Sequence, residues 1–119
     1  MIEASCHCGA VRMQVARRPE RLTSCNCSIC HRLGTLWAYY RQDEVAFLAG
    51  AGTTVPYVQG DRTLEMHHCP TCGCVTHWES LKKGGAERMA VNARLMAPAE
   101  IANVPIRHLD GASTWTYLD

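Results

Sequence analysis

Apolar and polar residues alternate over several short stretches of this chain. Val11, Met13 and Val15 are separated by Arg12 and Gln14, which is the period-two pattern of a strand with one buried face. Further short strands are predicted, between glycine-containing turns, at residues 36–40, 45–48, 54–58, 64–68, 75–78 and 88–92. The pattern therefore predicts a mainly β protein.

No segment carries the long apolar stripe of an extended amphipathic helix. Short helical turns are predicted only at residues 28–33 and 98–102, and the second opens on Pro98, a residue suited to the first helical position. The 119 residues contain no fixed-period repeat, low-complexity tract or linker. We therefore expect one domain over residues 1–119.

Charge and hydrophobicity exclude several classes of protein. Twelve Lys and Arg against eleven Asp and Glu give a net charge of +1, without the positive field typical of a general nucleic-acid binder. The sequence has no apolar run long enough for a membrane span. An acid, Glu3, stands where a signal peptide has a basic flank. We expect a cytoplasmic protein that binds neither nucleic acid nor membrane, while its oligomeric state is left open.

Eight cysteines allow two explanations, disulfides or metal binding. They fall in three groups: Cys6 and Cys8; Cys25, Cys27 and Cys30; and Cys69, Cys72 and Cys74. A reducing compartment disfavours disulfides. Tetrahedral zinc, with Zn–S near ~2.3 Å, sets its sulfurs about 3.8 Å apart, which C-x-C and C-x-x-C turns supply. The spacing favours zinc, with an iron–sulfur cluster as the minor alternative.

The division of the cysteines separates a structural protein from an enzyme, because a structural zinc has four protein ligands and a reactive zinc has three. Residues 69–73 resemble a zinc knuckle in which Gly73 adopts a left-handed conformation. A knuckle supplies two ligands, Cys69 and Cys72, so Cys6 and Cys8 are the natural complement. Three cysteines from the 25–30 loop can then share a second metal. Alternatively, Cys74 or a histidine closes that second site too.

The three cysteine motifs, in this order, resemble those of the glutathione-dependent formaldehyde-activating enzyme family, also called the CENP-V/GFA family. The resemblance runs from residues 5–12 through 25–30 and 69–73 to 91–95 and 108–115, nearly the whole chain. It implies an Mss4-like arrangement of small zinc-pinned β-sheets. It also implies two zinc ions per chain, a structural one on Cys6, Cys8, Cys69 and Cys72 and a catalytic one on Cys25, Cys27 and Cys30. The family's named reaction adds glutathione to formaldehyde, giving S-(hydroxymethyl)glutathione.

The donor set is consistent with that reaction. Three thiolates blunt the Lewis acidity of zinc, which disfavours hydrolysis, whereas a sulfur-rich metal prefers another sulfur and eases its deprotonation. We therefore expect a carbon–sulfur lyase that joins glutathione, or a related thiol, to an aldehyde. His31, Tyr40 or water are candidates for the proton transfer. Candidates for binding the carboxylates of glutathione are Arg32, Arg41 and Arg94.

Two other functions compete with the lyase. One is a noncatalytic zinc module that binds protein, with both zinc sites closed. The other is a redox or metal-handling protein that uses Cys74 as a spare thiol, although we expect Cys74 to be a small buried residue without a ligand role.

Three histidines lie on the strands predicted at residues 64–68 and 75–78. His77-Trp78-Glu79 matches the H-x-E of zinc deaminases, but it follows the C-x-x-C motif here instead of preceding it, so we reject that assignment. His67 and His68 adjoin Cys69. Because neighbouring strand residues point to opposite faces, we expect packing or surface roles for these two side chains.

Overall fold

A computed structural model describes all residues, 1–119. The ten strands, numbered in chain order, are β1 Ile2–Ser5, β2 Arg12–Val15, β3 Leu22–Cys25, β4 Trp37–Arg41, β5 Val45–Ala49, β6 Val55–Val58, β7 Leu64–His68, β8 Val75–Ser80, β9 Arg88–Asn92 and β10 Ile106–Leu109. The two short α-helices are α1 Ser28–Leu33 and α2 Pro98–Ile101, and single 3-10 turns span Gln42–Glu44 and Ala93–Leu95. The mainly β prediction is confirmed.

All seven strands predicted from alternation are present, with boundaries shifted by no more than two residues. Three strands were not predicted: β1, β3 and β10. Strand β3 has the sequence Leu-Thr-Ser-Cys, in which polar residues hide the pattern although Thr23 is fully buried. Strand β10 pairs with β3 in parallel, and both are defined by this pairing between distant segments.

The strands form two sheets. A three-stranded sheet has the order β1-β2-β5, and a seven-stranded sheet has the order β10-β3-β4-β9-β8-β7-β6. All neighbours are antiparallel except β10 and β3. No helix is long and apolar enough to cross a membrane.

The main core lies between the two sheets. Met13 and Val15 of the small sheet and Ala38 and Val91 of the large sheet belong to it, and all four side chains are fully buried. Side chains alternate between the two faces of a strand. The residues next to those of the main core therefore point to the other face of the large sheet, where they form a second apolar cluster. That cluster contains Trp37, Met66, Trp78 and Ala90 together with Cys30 of α1. The large sheet therefore has α1 and the second cysteine group on one face and the main core on the other.

Candidate functional site

Four cysteines from two distant turns meet at one point. Cys6 and Cys8 lie between β1 and β2, Cys69 and Cys72 lie between β7 and β8, and their sulfurs are all within 4.8 Å of one another. The Sγ atoms of Cys6 and Cys8 are 3.7 Å apart, and those of Cys8 and Cys69 are 3.6 Å apart. These separations match the edge of a zinc–sulfur tetrahedron, about 3.8 Å. Four sulfurs at this spacing could hold a zinc ion that links the two sheets.

Backbone hydrogen bonds in the 69–73 turn favour thiolates at Cys69 and Cys72, whereas burial and the neighbouring thiols raise the pKa of Cys8 to about 11. Gly73 has φ +82°, which confirms the predicted left-handed turn, and the Thr71 N–H donates to Cys69 Sγ at 3.4 Å. Hydrogen bonds from the backbone of Cys74 and Cys8 lower the pKa of Cys72 to about 5. Thiolate is the form of cysteine that binds metal, so the turn suits a metal ligand.

A second group consists of three cysteines at the end of β3 and in α1. The sulfurs of Cys25, Cys27 and Cys30 are all within 4.8 Å of one another. Cys27 caps α1, where its sulfur accepts from the Cys30 N–H at 3.4 Å. The Cys27 N–H donates to Cys25 Sγ at 3.5 Å, and the Trp37 indole N–H donates to Cys30 Sγ at 3.3 Å. Each sulfur thus accepts a hydrogen bond that stabilises negative charge, as expected of a metal-binding thiolate.

Burial acts unevenly on these three thiols. It raises the pKa of Cys30 to about 12 and also raises the pKa of Cys25. Burial alone would raise the pKa of Cys27 as well, but hydrogen bonds from the backbone of Cys30 and Ile29 outweigh it and lower that pKa. Without a bound cation, Cys27 is therefore the most acidic thiol of the three.

The C-terminal segment covers this three-sulfur group. Asn26 links the two: its side chain donates to Asp110 Oδ1 at 3.0 Å and accepts from the Ala112 N–H at 3.0 Å. Between those contacts lies Gly111, which is buried. A Cβ added at Gly111 would stand 2.6 Å from Cys25 Sγ and 3.2 Å from Cys27 Cβ. Glycine at this position lets the main chain pass directly over the sulfurs.

A cavity of about 600 Å³ lies beside α1. Its walls come from α1, through Ser28, Ile29, Arg32 and Leu33, and from the β6–β8 side of the large sheet, through Tyr57, Gln59, Met66, His67, His68 and Val75. The helix that bears Cys30 and is capped by Cys27 thus also forms one wall of the cavity. A small organic molecule of substrate size fits this volume.

Only one of the three arginine candidates for glutathione binding lines the cavity, and that is Arg32. Arg41 pairs with Asp43 at 3.0 Å, and the Arg94 Nε donates to the Gly34 carbonyl at 2.7 Å. We therefore withdraw Arg41 and Arg94 as substrate-binding candidates.

The candidates for proton transfer differ in position. His31 lies on α1 directly after Cys30, with an exposed side chain that is not part of the cavity wall. Tyr40 belongs to the main core, on the opposite face of the sheet from Cys30, and its hydroxyl donates to the Arg17 carbonyl at 3.0 Å. This position makes Tyr40 unsuitable, whereas His31 stays a prediction.

Cys74 belongs to neither sulfur group. It is half-buried beside Cys6 and Cys69 in a small apolar cluster, so our expectation of full burial was wrong. All eight cysteines are free thiols. The position of Cys74 outside both groups agrees with a residue that is not a ligand.

A third group was missed by the sequence reasoning. His67, His77 and Glu79 have ligand atoms within 4.8 Å of one another on β7 and β8. The expectation of a packing role for His67 considered its neighbours along the chain but not those on the adjacent strand. The sequence did contain a signal for this group. His77 and Glu79 are two positions apart, which places both side chains on the same face of a strand.

Comparison with known proteins agrees with this geometry. A family model described as "Glutathione-dependent formaldehyde-activating enzyme" matches residues 1–108. The chain belongs to this family. A crystal structure of a Rhodobacter sphaeroides protein is similar, with a TM-score of 0.70 and 29% sequence identity, covering 88% of this chain and 99% of that chain. No curated protein gives a significant match.

Family membership confirms the resemblance first indicated by the cysteine motifs, which all lie within the matched residues. The family is named for an enzyme that uses glutathione and formaldehyde. Its match therefore agrees with an enzyme acting on small molecules, and the clustered cysteines could bind metal.

Proposed function

We propose that this protein is a zinc-dependent carbon–sulfur lyase resembling S-(hydroxymethyl)glutathione synthase, which adds glutathione or a related thiol to formaldehyde or a similar aldehyde. The observation that carries the proposal is the three-sulfur group of Cys25, Cys27 and Cys30, which spans the end of β3 and the start of α1, the helix that also lines the cavity. The protein would hold two zinc ions, a structural one on Cys6, Cys8, Cys69 and Cys72 and a catalytic one on the three-sulfur group. Free thiols persist in a reducing compartment, which fits a cytoplasmic location.

When bound to the three-sulfur group, zinc supplies a soft coordination position at which a thiol loses its proton more readily. The chain's own residues hold the reactants. Ile29, Leu33 and Met66 give the cavity an apolar wall, and Arg32 offers a guanidinium to a carboxylate of glutathione. The NH1 of Arg32 donates to the Ser28 carbonyl at 2.8 Å, which fixes the side chain against α1.

The reaction is an addition in which atoms and electrons balance. The thiol sulfur forms a bond to the aldehyde carbon, and the carbonyl π electrons move onto the oxygen. The proton lost from the thiol ends on that oxygen. We propose His31 as the group that transfers this proton, since it adjoins Cys30 and faces solvent.

The test is exchange NMR of glutathione with formaldehyde, which measures the rate of adduct formation in the presence of the protein. Cys27→Ser should return the exchange to its uncatalysed rate, while Cys74→Ser, a control outside both sulfur groups, should keep the wild-type rate. His31→Gln should lower the rate without changing glutathione affinity. If wild type and Cys27→Ser give equal exchange rates, the lyase proposal is wrong and a noncatalytic zinc module becomes the better description.

A further inference from the structure

The face of β7 and β8 that points to the main core carries two polar cross-strand pairs. Glu65 lies opposite Glu79, and His67 lies opposite His77. Two carboxylates directly opposite each other repel in the absence of a cation. This polar patch is separate from both sulfur groups, because its side chains project from the strands and not from the cysteine turns.

Three ligand atoms of the patch have the spacing of a metal site. His67 Nε2 lies 3.1 Å from Glu65 Oε1 and 3.5 Å from Glu79 Oε1. Metal bonds of about 2.1 Å place neighbouring ligands of a tetrahedral zinc about 3.4 Å apart. The observed distances bracket that value.

The Nε2 of His67 is buried and has no hydrogen-bond partner, because neither carboxylate contact has hydrogen-bonding geometry. The side chain of His67 is only 10% exposed. Its other nitrogen, Nδ1, is 2.8 Å from Thr54 Oγ1. Nε2 therefore lies beside two carboxylates without a hydrogen bond to either, and a metal ion between the three groups would bind all of them.

A cation already approaches the two carboxylates. The Lys83 ammonium lies 2.8 Å from Glu65 Oε1 and 3.2 Å from Glu79 Oε1. Its side chain is 52% exposed, whereas those of Glu65 and Glu79 are 17% and 23% exposed. Lys83 can therefore swing into solvent while the two carboxylates stay in place. One ammonium leaves one of the two negative charges uncompensated, and a divalent ion balances both.

His77 holds the His67 ring in position. The two rings stack with centroids 4.5 Å apart and planes 8° from parallel, so their in-plane lone pairs run side by side and do not converge on one point. His77 is therefore a packing partner in this site and not a ligand. Its Nδ1 is 2.8 Å from Thr76 Oγ1, which fixes the stack from the far side.

We propose that His67, Glu65 and Glu79 form a third metal site, which binds a divalent transition ion such as zinc in exchange for the Lys83 ammonium. One imidazole and two carboxylates form a ligand set that suits zinc, cobalt or nickel, and it lacks the thiolates that favour softer ions such as Cu(I). The three side chains belong to adjacent strands of one sheet, so the ligands of this site are distinct from those of either sulfur group.

The test is a cobalt titration, followed by visible absorption, of protein that carries two zinc ions per chain on its sulfur groups and from which any more weakly bound zinc has been removed. Wild type should bind one further cobalt ion per chain, with weak d–d bands and without the sulfur-to-cobalt charge-transfer band. Outer partners of metal ligands typically change affinity about 10- to 100-fold, so loss of a direct ligand in Glu79→Gln should weaken cobalt binding at least about tenfold. Glu100→Gln, at an exposed acid paired with Arg18, is the matched control and should bind as wild type.

The cobalt affinity of Lys83→Ala distinguishes a metal site from a simple ion-pair network. It removes the competing ammonium, so the metal site should bind cobalt more tightly than wild type does. If wild type and Lys83→Ala both take up no cobalt outside the cysteines, or if all uptake carries the charge-transfer band, the patch is an ion-pair network only and the proposal is overturned. Because Lys83 is half exposed, this second variant should fold even if Glu79→Gln does not.

Discussion

Replacing Gly111 by Ala adds a single methyl group directly above the three-sulfur group. The new Cβ would lie 2.6 Å from Cys25 Sγ, whereas ordinary contacts between heavy atoms lie at about 3.5 to 4.0 Å. The C-terminal segment or the Cys25 loop must then move by about 1 Å. Gly111 has no left-handed φ, so the effect of the substitution comes from space and not from backbone strain.

The size of the effect follows from that displacement. Overpacking a filled site costs about 1 to 3 kcal/mol, which for a chain of this length lowers the Tm by roughly 4 to 12 °C. Metal–ligand distances tolerate only about ±0.2 Å, so a shift of about 1 Å at Cys25 should also weaken metal binding by the three-sulfur group. The four-sulfur group belongs to other turns and should keep its metal.

Thermal unfolding of the metal-loaded protein measures the change in Tm. Cobalt titration of protein stripped of its metal measures the change in metal binding. The control is Gly85→Ala, the same change at a glycine that also lacks a left-handed φ. There the nearest atoms to the added Cβ are Asp43 Cβ and Oδ2, both at 3.2 Å, so a shift of a few tenths of an ångström is enough. Gly111→Ala should lose the cobalt–sulfur absorption that belongs to the three-sulfur group and should unfold at lower temperature, while Gly85→Ala should do neither. Unchanged Tm and cobalt binding in Gly111→Ala would refute the close packing of the C-terminal segment on Cys25.

Three further changes test other parts of the structure. Cys72→Ser should give an insoluble product, or a molten one without near-ultraviolet circular dichroism, because a structural zinc contributes about 10 to 16 kcal/mol against a typical total stability of about 5 to 15 kcal/mol; a folded, soluble variant would contradict a structural role for that metal. Cys74→Ala should retain both zinc ions by metal analysis, and loss of one would make Cys74 a ligand. Hydrogen bonds from Asn26 and Thr114 lower the pKa of Asp110 below its ordinary value of 3.8. The ionised Asp110 side chain therefore stabilises the fold above that pH, and this stabilisation is lost as the pH falls through the lowered pKa. Asp110→Asn should remove this part of the acid sensitivity in urea unfolding curves, and an unchanged pH profile would show that the contact with Asn26 adds nothing.

Local sequence patterns and turn signals located seven of the ten strands, including β2, whose alternation records one buried face, and β6, which has no buried residue. Strands β1, β3 and β10 escaped for different reasons. Strand β1 is short, with only Ile2 and Ala4 buried. Strand β3 hides its pattern behind buried Thr23, and β10 exposes Ile106, its first residue. Strands β3 and β10 pair with each other across about 80 residues of chain, which a local pattern does not encode.

The cysteine spacing by itself determined which thiols come together in each turn, because a C-x-C or C-x-x-C turn brings its sulfurs close whatever surrounds it. It thereby also indicated the family. The single-domain assignment and the catalytic roles of Cys25, Cys27, Cys30 and His31 stay predictions.

Only the tertiary structure decided the surroundings of the thiols. It brought Gly111 over Cys25 and placed His67 beside two carboxylates. It also placed Arg32 at the cavity, whereas Arg41 pairs with Asp43 and Arg94 with the Gly34 carbonyl. Each of these contacts depends on which strands are neighbours and in what register. Strand order and register are set by the packing of the whole chain, since a shift of one residue would turn every side chain of a strand to the other face.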